Sequence, residues 1–257
     1  MFYSKKSLGQ NFLKDQNIIK KIINLKNIKN KDIVEIGPGK GAITEEILKH
    51  HPNSLTIIEK DNYLLKKLNE KYKNYNSIRF YNNDILKINL EKIIKKNSII
   101  FGNLPYNVSS QILVKLIKFT KWPPKFTDLI LMFQKEVAEK IIGKSYGRLS
   151  IIANYRLKYL NKFDVSPNCF FPKPKITSTV IHLVPIRKLK YKINDIKNLE
   201  YITNIFFSGR RKMINKKIKK VFNLDQIKKF KNLDFKDRPA DLKKEFYYQA
   251  TEFYESG

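Results

Sequence analysis

Short apolar runs alternate with longer amphipathic segments from residue 32 onward. The apolar runs at 32–37, 55–59, 78–81, 98–102 and 129–133 have the length and composition of buried strands. Four intervening segments place apolar residues three and four positions apart, which is the spacing of an amphipathic helix. These predicted helices cover 42–49, 62–72, 109–119 and 135–142. Repetition of strand and helix predicts an α/β fold with a parallel sheet covered on both faces.

The pattern changes in the last part of the chain. Residues 155–165 and 176–184 are predicted as two late strands that could close the sheet with an antiparallel edge, and a proline-rich stretch separates them. Beyond residue 188 strand patterns are absent, and helices are predicted over 196–207, 210–222 and 242–253. We therefore expect a main domain over residues 1–187 and a small all-helical domain over residues 188–257.

Composition narrows the class of protein. A hydrophobic fraction of 42% is typical of a globular chain, and no apolar run approaches the length of a membrane span. The polar and basic residues 1–12 lack the features of a secretory signal, so we expect a cytoplasmic protein without membrane association. One cysteine and three scattered histidines offer no metal-ligand cluster, and Cys169 is expected to fill space rather than react.

Charge points to the partner. Lys and Arg total 52 against 23 Asp and Glu, a formal net charge of +29. Compositional drift toward lysine explains Lys in place of Arg, but it does not explain the size of the basic excess. A polyanion is therefore the expected partner, with nucleic acid ahead of a membrane surface.

A glycine-rich turn follows the first predicted strand, in the sequence EIGPGKGA at 35–42. Gly37 and Gly39 would let the backbone approach a nucleotide-like ligand, since open α/β sheets bind ligands at the carboxyl ends of their strands. Glu59 ends the next strand, some twenty residues on, where a carboxylate can accept hydrogen bonds from both ribose hydroxyls of an adenosine. These two features alone do not separate NAD from S-adenosylmethionine, and a tight turn with a solvated acid remains an alternative.

Asp84 and Ile85 follow the third strand. The Asp84 carboxylate could accept from the adenine amino group of a bound cofactor, and Ile85 could pack on its ring. Asp is also a good helix N-cap, and the two roles can coexist.

The sequence Asn103-Leu104-Pro105-Tyr106 follows the fourth strand and decides between the cofactors. An exocyclic adenine amine is a poor nucleophile because its lone pair is delocalised into the ring. The Asn103 side-chain oxygen and the Leu104 carbonyl could accept both amine protons and free the lone pair to attack an activated methyl group. Pro105 would fix the turn, and Tyr106 would stack on a base taken out of its helix. This chemistry favours methyl transfer from S-adenosylmethionine.

Several segments together resemble the ribosomal RNA adenine N6,N6-dimethyltransferases, and among them the bacterial small-subunit branch. The segments are SLGQNFL at 7–13, EIGPG at 35–39, NLPY at 103–106, YGRLS at 146–150 and FFPKPKI at 170–176. The resemblance spans nearly the whole chain. It implies a Rossmann-like class I methyltransferase sheet with a helical C-terminal domain. It also implies a substrate made of two adjacent adenosines in the 3′-terminal hairpin of 16S rRNA, and a role in small-subunit biogenesis.

The resemblance also implies roles for individual residues. S-adenosylmethionine contacts are expected from Asn11, Leu13, Gly37, Gly39, Glu59, Asp84, Ile85 and Asn103. Stacking on the target base is expected from Tyr106 and from Phe170, although Phe171 beside it could be the stacking ring instead. The segment 10–13 gains a role only through this resemblance.

The predicted helix over 210–222 has a basic outer face. Residues expected to contact rRNA phosphates are Arg210, Arg211, Lys216, Lys217 and Lys220. A solvated charged face is the alternative interpretation.

Three other functions remain as alternatives. A large-subunit rRNA adenine methyltransferase of the macrolide-resistance type would share the chemistry, but the amino-acid sequence at 9–13, 146–150 and 170–176 is closer to that of the small-subunit enzymes. An NAD-dependent oxidoreductase would leave residues 103–106 without a role. A non-catalytic ribosome assembly factor would not need the cofactor loops. The sequence leaves the oligomeric state open, and a monomer is our expectation.

Overall fold

The computed structural model describes residues 10–143, 147–209, 211–230 and 233–256. The chain divides into two compact units. The sheet unit comprises the described residues through Ala138 together with Leu157–Pro185. The helical unit comprises Glu139–Arg156 and the described residues from Ile186 onward. The helical unit thus includes residues 139–156 in addition to the C-terminal segment.

The sheet unit contains nine strands. They are β1 (Phe12–Leu13), β2 (Asp32–Ile36), β3 (Ser54–Glu59), β4 (Ile78–Asn82), β5 (Ser98–Asn103), β6 (Phe126–Gln134), β7 (Leu157–Val165), β8 (Phe170–Phe171) and β9 (Ser178–Pro185). Seven of them form one sheet in the order β4-β3-β2-β5-β6-β9-β7. The first five in that order are parallel, and β9 and β7 join antiparallel. The predicted parallel sheet with an antiparallel edge is therefore confirmed.

Six helices of the described ranges accompany these strands, and the last of them begins in the sheet unit and ends in the helical unit. They are α1 (Gln16–Ile23), α2 (Ala42–Lys49), α3 (Asn62–Lys71), α4 (Leu90–Ile93), α5 (Ser109–Ile117) and α6 (Lys135–Ile141). Helix α1 lies outside the predicted elements, although Asp15 caps it by accepting from the Ile18 backbone N–H at 3.0 Å. Apolar faces of α1, α2 and α3 pack with β2 and β3 in one buried cluster that includes Ile19, Ile47 and Ile57.

A two-stranded antiparallel sheet ties the N-terminal segment to a later part of the sheet unit. Phe12 of β1 pairs with Phe171 of β8, and Leu13 pairs with Phe170. This pairing has no local signal in the sequence, because its partners lie more than 150 residues apart.

The helical unit contains α7 (Arg148–Arg156), α8 (Ile196–Phe207), α9 (Asn215–Ile218), α10 (Leu224–Ile227) and α11 (Lys244–Ser256). Aromatic rings fill its interior: Phe206, Phe246 and Tyr247 make edge-to-face contacts at centroid distances of 5.3 to 5.7 Å. The predicted helices over 196–207 and 242–253 are present, with small differences at their ends. Helix α7 was not predicted, and its last two residues replace the predicted start of β7.

The long helix predicted over 210–222 is wrong. Among the described residues 211–222, only α9 is helical, and the flanking residues form turns, bends and irregular backbone. The Lys217 ammonium explains the change, because it donates to the backbone carbonyls of Phe206 at 2.5 Å and Gly209 at 2.6 Å. Those contacts draw the segment over the C-terminal end of α8, where helix carbonyls lack partners within the helix.

No helix in the described ranges is long and apolar enough to cross a membrane. Within the same residues, no group of three or more His, Cys, Asp or Glu side chains could hold a metal ion.

Candidate active site

One cavity lies at the carboxyl ends of the parallel strands, where the strand order reverses between β2 and β5. These strands are neighbours, with Ile36 opposite Gly102. The loops that follow them therefore meet: a Cβ atom placed on Gly37 would lie 3.7 Å from the Asn103 carbonyl oxygen. Such a reversal point opens a crevice and is the usual ligand site of an open α/β sheet.

The glycine-rich turn has a conformation that other residues rarely adopt. Gly37 and Gly39 have φ angles of +67° and +58°. A Cβ atom on Gly39 would lie 2.8 Å from Cδ1 of Phe12. The turn ends at α2, and Lys40 and Ala42 also line the cavity. The loop thus brings bare backbone to the ligand at the start of a helix.

Glu59, at the end of β3, is held by backbone donors. Its Oε1 accepts from the Asp61 N–H at 2.8 Å, and its Oε2 accepts from the Gly39 N–H at 3.3 Å. Burial raises the pKa of this carboxyl, and the two backbone hydrogen bonds act in the opposite direction. Gln10 donates to Asp61 at 3.2 Å, which ties the N-terminal segment to the same wall of the cavity.

Asp84 both lines the cavity and organises a turn. Its Oδ1 accepts from the Leu86 N–H at 2.9 Å, and its Oδ2 lies 3.0 Å from the Lys60 ammonium. The hydrogen bond from Leu86 and the Lys60 contact lower the pKa of Asp84. No helix begins at Asp84, so the helix N-cap alternative is wrong; the carboxylate stabilises a turn instead and remains in the cavity wall beside Ile85.

Asn103 is oriented by the N-terminal segment. Its Nδ2 donates to the Asn11 carbonyl at 3.0 Å. Because the amide nitrogen is engaged in this way, Oδ1 is the atom that can accept from a substrate amine. Leu104 and Pro105 continue the wall of the cavity.

Tyr106 is half-buried, and its hydroxyl lies 2.5 Å from the Ser178 hydroxyl at the start of β9. Burial raises the pKa of Tyr106. The contact fixes one end of the ring at the cavity wall.

The structure thus brings the residues from four separate strand ends into one wall. The lining includes Asn11, Leu13, Gly37, Gly39, Glu59, Asp84, Ile85, Asn103, Leu104, Pro105 and Tyr106. Every residue predicted to bind the cofactor is among them.

A family model described as Ribosomal RNA adenine dimethylase matches residues 1–256 of the chain. The chain belongs to this ribosomal RNA adenine dimethylase family. It is 42% identical to the Ribosomal RNA small subunit methyltransferase A of Pelagibacter ubique (strain HTCC1062), over 98% of this chain and 97% of that protein. It is 41% identical to the protein of the same name from Buchnera aphidicola subsp. Baizongia pistaciae (strain Bp), over 89% of this chain and 88% of that protein.

Solved structures agree with this assignment at the level of the fold. A dimethyladenosine transferase from Plasmodium falciparum superposes with a TM-score of 0.76 at 24% identity, covering 95% of this chain and 98% of that one. The 23S rRNA methyltransferase ErmE gives a TM-score of 0.72 at 21% identity, covering 95% of this chain and all of the other. The predicted Rossmann-like class I methyltransferase fold is confirmed.

Membership of the rRNA adenine dimethylase family makes the protein an S-adenosylmethionine-dependent methyltransferase that acts on rRNA. The NAD-dependent alternative is therefore wrong. Bare glycine backbone, a buried carboxyl at Glu59 and an apolar side chain at Ile85 suit an adenosine-containing cofactor.

In this rRNA dimethylase, the two adjacent phenylalanines differ sharply in exposure. Phe170 is 2% exposed and packs in the core of the sheet unit, outside the cavity lining, whereas Phe171 is 58% exposed. The expectation that Phe170 presents a ring face to a base conflicts with this burial. Antiparallel pairing explains it, because Phe170 stands opposite the buried Leu13 and Phe171 opposite the half-exposed Phe12.

The residues of the dimethylase that were predicted to contact phosphates also differ in exposure. Arg211, Lys216 and Lys220 are exposed. Lys217 is 7% exposed, so its predicted place on the outer face is wrong. Arg210 lies outside the described residues, as do residues 7–9 and Tyr146 of the family segments.

No role was assigned from the dimethylase sequence to two side chains at the site, Lys40 and Ser178. Lys40 lines the cavity, as do Gln10 and Phe12 of the segment 10–13 that the family resemblance indicated. Lys40 could have been found from its position between two loop glycines. Ser178 had no such signal, because its partner Tyr106 is 72 residues away.

Proposed function

We propose that this enzyme dimethylates the N6 amines of two adjacent adenosines in the 3′-terminal hairpin of 16S rRNA, with a role in small-subunit biogenesis. The names and identities of the relatives from Pelagibacter and Buchnera support the choice of subunit. The bound cofactor supplies an electrophilic methyl group on a sulfonium, which needs no activation by the protein.

One observation carries the proposal: the Asn103 amide is anchored through Nδ2 to the Asn11 carbonyl within the cavity wall. Oδ1 is then presented as an acceptor in a fixed orientation. Together with the Leu104 carbonyl it accepts hydrogen bonds from the two N–H groups of the adenine amine, which localises the nitrogen lone pair. The nitrogen releases one proton once it has gained the methyl group. Fixed dipoles of this kind lower the barrier because they need no reorganisation during the reaction.

The other residues of the cavity wall bind the cofactor. Glu59 accepts from the ribose hydroxyls, Asp84 from the adenine amino group, and Ile85 packs on the adenine ring. Gly37 and Gly39 admit the ligand close to the backbone, and Asn11 and Leu13 close the site from the N-terminal segment.

Tyr106 receives the target base. A base inside a helix is inaccessible to an active site, so the adenosine is turned out and stacked on an aromatic ring. The Ser178 contact holds the Tyr106 ring in place before the base arrives.

The organisation of the chain completes the proposal. Residues 1–187 act as the methyltransferase domain, and residues 188–257 act as an RNA-binding domain that contacts phosphates through Arg210, Arg211, Lys216 and Lys220. We place the enzyme in the cytoplasm, as a monomer, on the assembling small subunit.

The experiment is methylation of small-subunit RNA in vitro with labelled S-adenosylmethionine, followed by mapping of N6,N6-dimethyladenosine. Asn103→Ala should lower turnover by roughly 100-fold or more, as for the loss of one preorganised polar group. Tyr106→Ala should also slow methyl transfer strongly, whereas Tyr106→Phe retains the ring and should keep most activity. Full turnover by Tyr106→Ala would remove the stacking role.

The same assay separates the alternatives. Methylation of large-subunit RNA in place of small-subunit RNA would overturn the substrate. Tight binding of small-subunit particles without methyl transfer would indicate an assembly factor.

A further inference from the structure

A cation and two aromatic rings form a cluster at the rim of the cavity. The Lys40 ammonium lies 5.0 Å from the centroid of the Phe12 ring and 5.6 Å from that of Phe171. Both distances are within the range of cation–π attraction. Lys40 and Phe12 line the cavity, and Phe171, which is exposed, contacts the Lys40 ammonium from outside the lining. We call Phe12, Lys40 and Phe171 the rim cluster.

The fold holds the rim cluster in place. Pairing of β1 with β8 sets Phe12 opposite Phe171, and Phe12 packs against the bare backbone of Gly39. Lys40 is the residue after that glycine. The cluster therefore joins three distant parts of the chain, and two of them, the N-terminal segment and the glycine-rich turn, line the cavity.

The exposure of Phe171 is unusual for so large an apolar ring. It is 58% exposed, whereas its neighbour Phe170 is buried. Lys173 and Lys175 follow it and are also exposed. An aromatic face surrounded by lysines matches the chemistry of single-stranded RNA, because bases stack on such rings while ammonium groups bind the phosphates.

We propose that the rim cluster binds the nucleotide next to the target adenosine, with Phe171 stacking on its base and Lys40 contacting its phosphate. The inference rests on the proposed function, since it assumes that a target adenosine occupies the adjacent cavity. Phe12 holds the other two residues in place, because its ring contacts the Lys40 ammonium and its backbone pairs with Phe171. The site is selective for an unstacked nucleotide and tolerant of its sequence, because every base has a π face.

The test is equilibrium binding of the full-length enzyme to two hairpin RNAs, one intact and one abasic at the position next to the target adenosine. Phe171→Leu should weaken binding of the intact RNA by roughly 5-fold or more. The abasic RNA should bind the unaltered enzyme equally weakly, and Phe171→Leu should cause no further loss on it. Tyr75→Leu, at another exposed aromatic residue, should leave both affinities unchanged.

Lys40 is tested by salt dependence. Lys40→Gln should flatten the plot of log affinity against log salt by about 0.7, the value for one single-strand phosphate contact. Lys40→Arg should restore the slope, and the exposed Lys66→Gln should not change it.

Equal losses on intact and abasic RNA for Phe171→Leu, or an unchanged salt slope for Lys40→Gln, would overturn the proposal. Unchanged RNA affinity in both variants would likewise overturn it. Binding is measured without methyl transfer, so this failure is distinct from failure of the proposed function. If the enzyme methylates the two adenosines but Phe171→Leu weakens binding of the intact and the abasic RNA equally, the proposed function stands and the rim site is refuted.

Discussion

The sheet unit and the helical unit place their functional residues in different ways. In the sheet unit, Gly37, Glu59, Asp84 and Asn103 each follow a parallel strand, and they meet in one cavity. In the helical unit, the sequence pattern predicts the basic residues on one face of a long helix, and the described residues 211–222 do not form that helix. Lys217, in the middle of that segment, is buried.

The difference has a topological cause. Parallel strands bring their carboxyl ends to one edge of a sheet, so a position at the end of a strand is enough to predict proximity. A helical face exists only where the helix continues, and its continuation depends on tertiary contacts. Strand ends are therefore the safer guide to a site, and the following predictions test this contrast.

The largest effect is expected at Phe170 of the sheet unit. This residue was predicted at the site, but it is buried outside the cavity lining. Phe170→Ala should lower the free energy of unfolding by about 3–5 kcal/mol, because it leaves a void in a packed core. Phe171→Ala should change it by less than about 0.5 kcal/mol, as is usual for exposed positions. Urea unfolding measures both. A stable Phe170→Ala enzyme that no longer methylates RNA would return the stacking role to Phe170.

A smaller effect is expected at Lys217 in the helical unit. Lys217→Met removes the donor to the Phe206 and Gly209 carbonyls, which should cost about 1–3 kcal/mol. Lys216→Met, at the exposed neighbour, should be nearly neutral. Thermal and urea unfolding of the two variants would measure the difference. Equal stabilities would show that Lys217 belongs to the solvated face after all.

A pH-dependent effect is expected from Glu35 of β2. Burial raises its pKa from 4.5 to about 8, although it accepts a hydrogen bond from the Thr44 hydroxyl at 2.6 Å. The folded state then holds a proton that the unfolded state releases, so this group lowers stability as pH rises from about 4.5 to 8. Above that range both states are ionised and the effect levels off.

The measurement is the unfolding free energy across that pH range. Glu35→Gln retains an acceptor for Thr44 and has no charge, so it should remove this contribution to the slope. The conservative Asp32→Asn, at a half-buried carboxyl whose pKa is lowered, should not remove it. Parallel pH profiles for Glu35→Gln and the unaltered enzyme would contradict the prediction.

The smallest effect is expected on the exposed face of the helical unit. Combining Lys216→Glu with Lys220→Glu should weaken RNA binding nearly equally across sequences, because phosphate contacts position RNA without reading its bases. Each lost contact should flatten the log affinity–log salt plot by roughly 0.7–0.9. Lys66→Glu with Lys73→Glu, two exposed lysines of the sheet unit, provides the charge-matched control. A slope equal to that of the control would leave this face as solvated surface.

Much of the fold and of the cofactor site was predictable from the sequence. Apolar runs of strand length predicted β2 to β6, and amphipathic spacing predicted α2, α3, α5 and α8. The motif residues at the strand ends then implied the cavity, because topology alone brings those ends together. Both signals are local, so they can be recognised in the sequence without knowledge of distant contacts.

Only the tertiary structure decided the remaining features. The β1–β8 pairing determines that Phe170 is buried and Phe171 exposed, and neighbouring identical residues carry no local signal for that choice. Likewise, the Ser178 contact of Tyr106 and the carbonyl contacts of Lys217 join residues that periodicity does not relate. A side chain's environment depends on the chain that packs against it, and long-range packing is the information that a local pattern lacks.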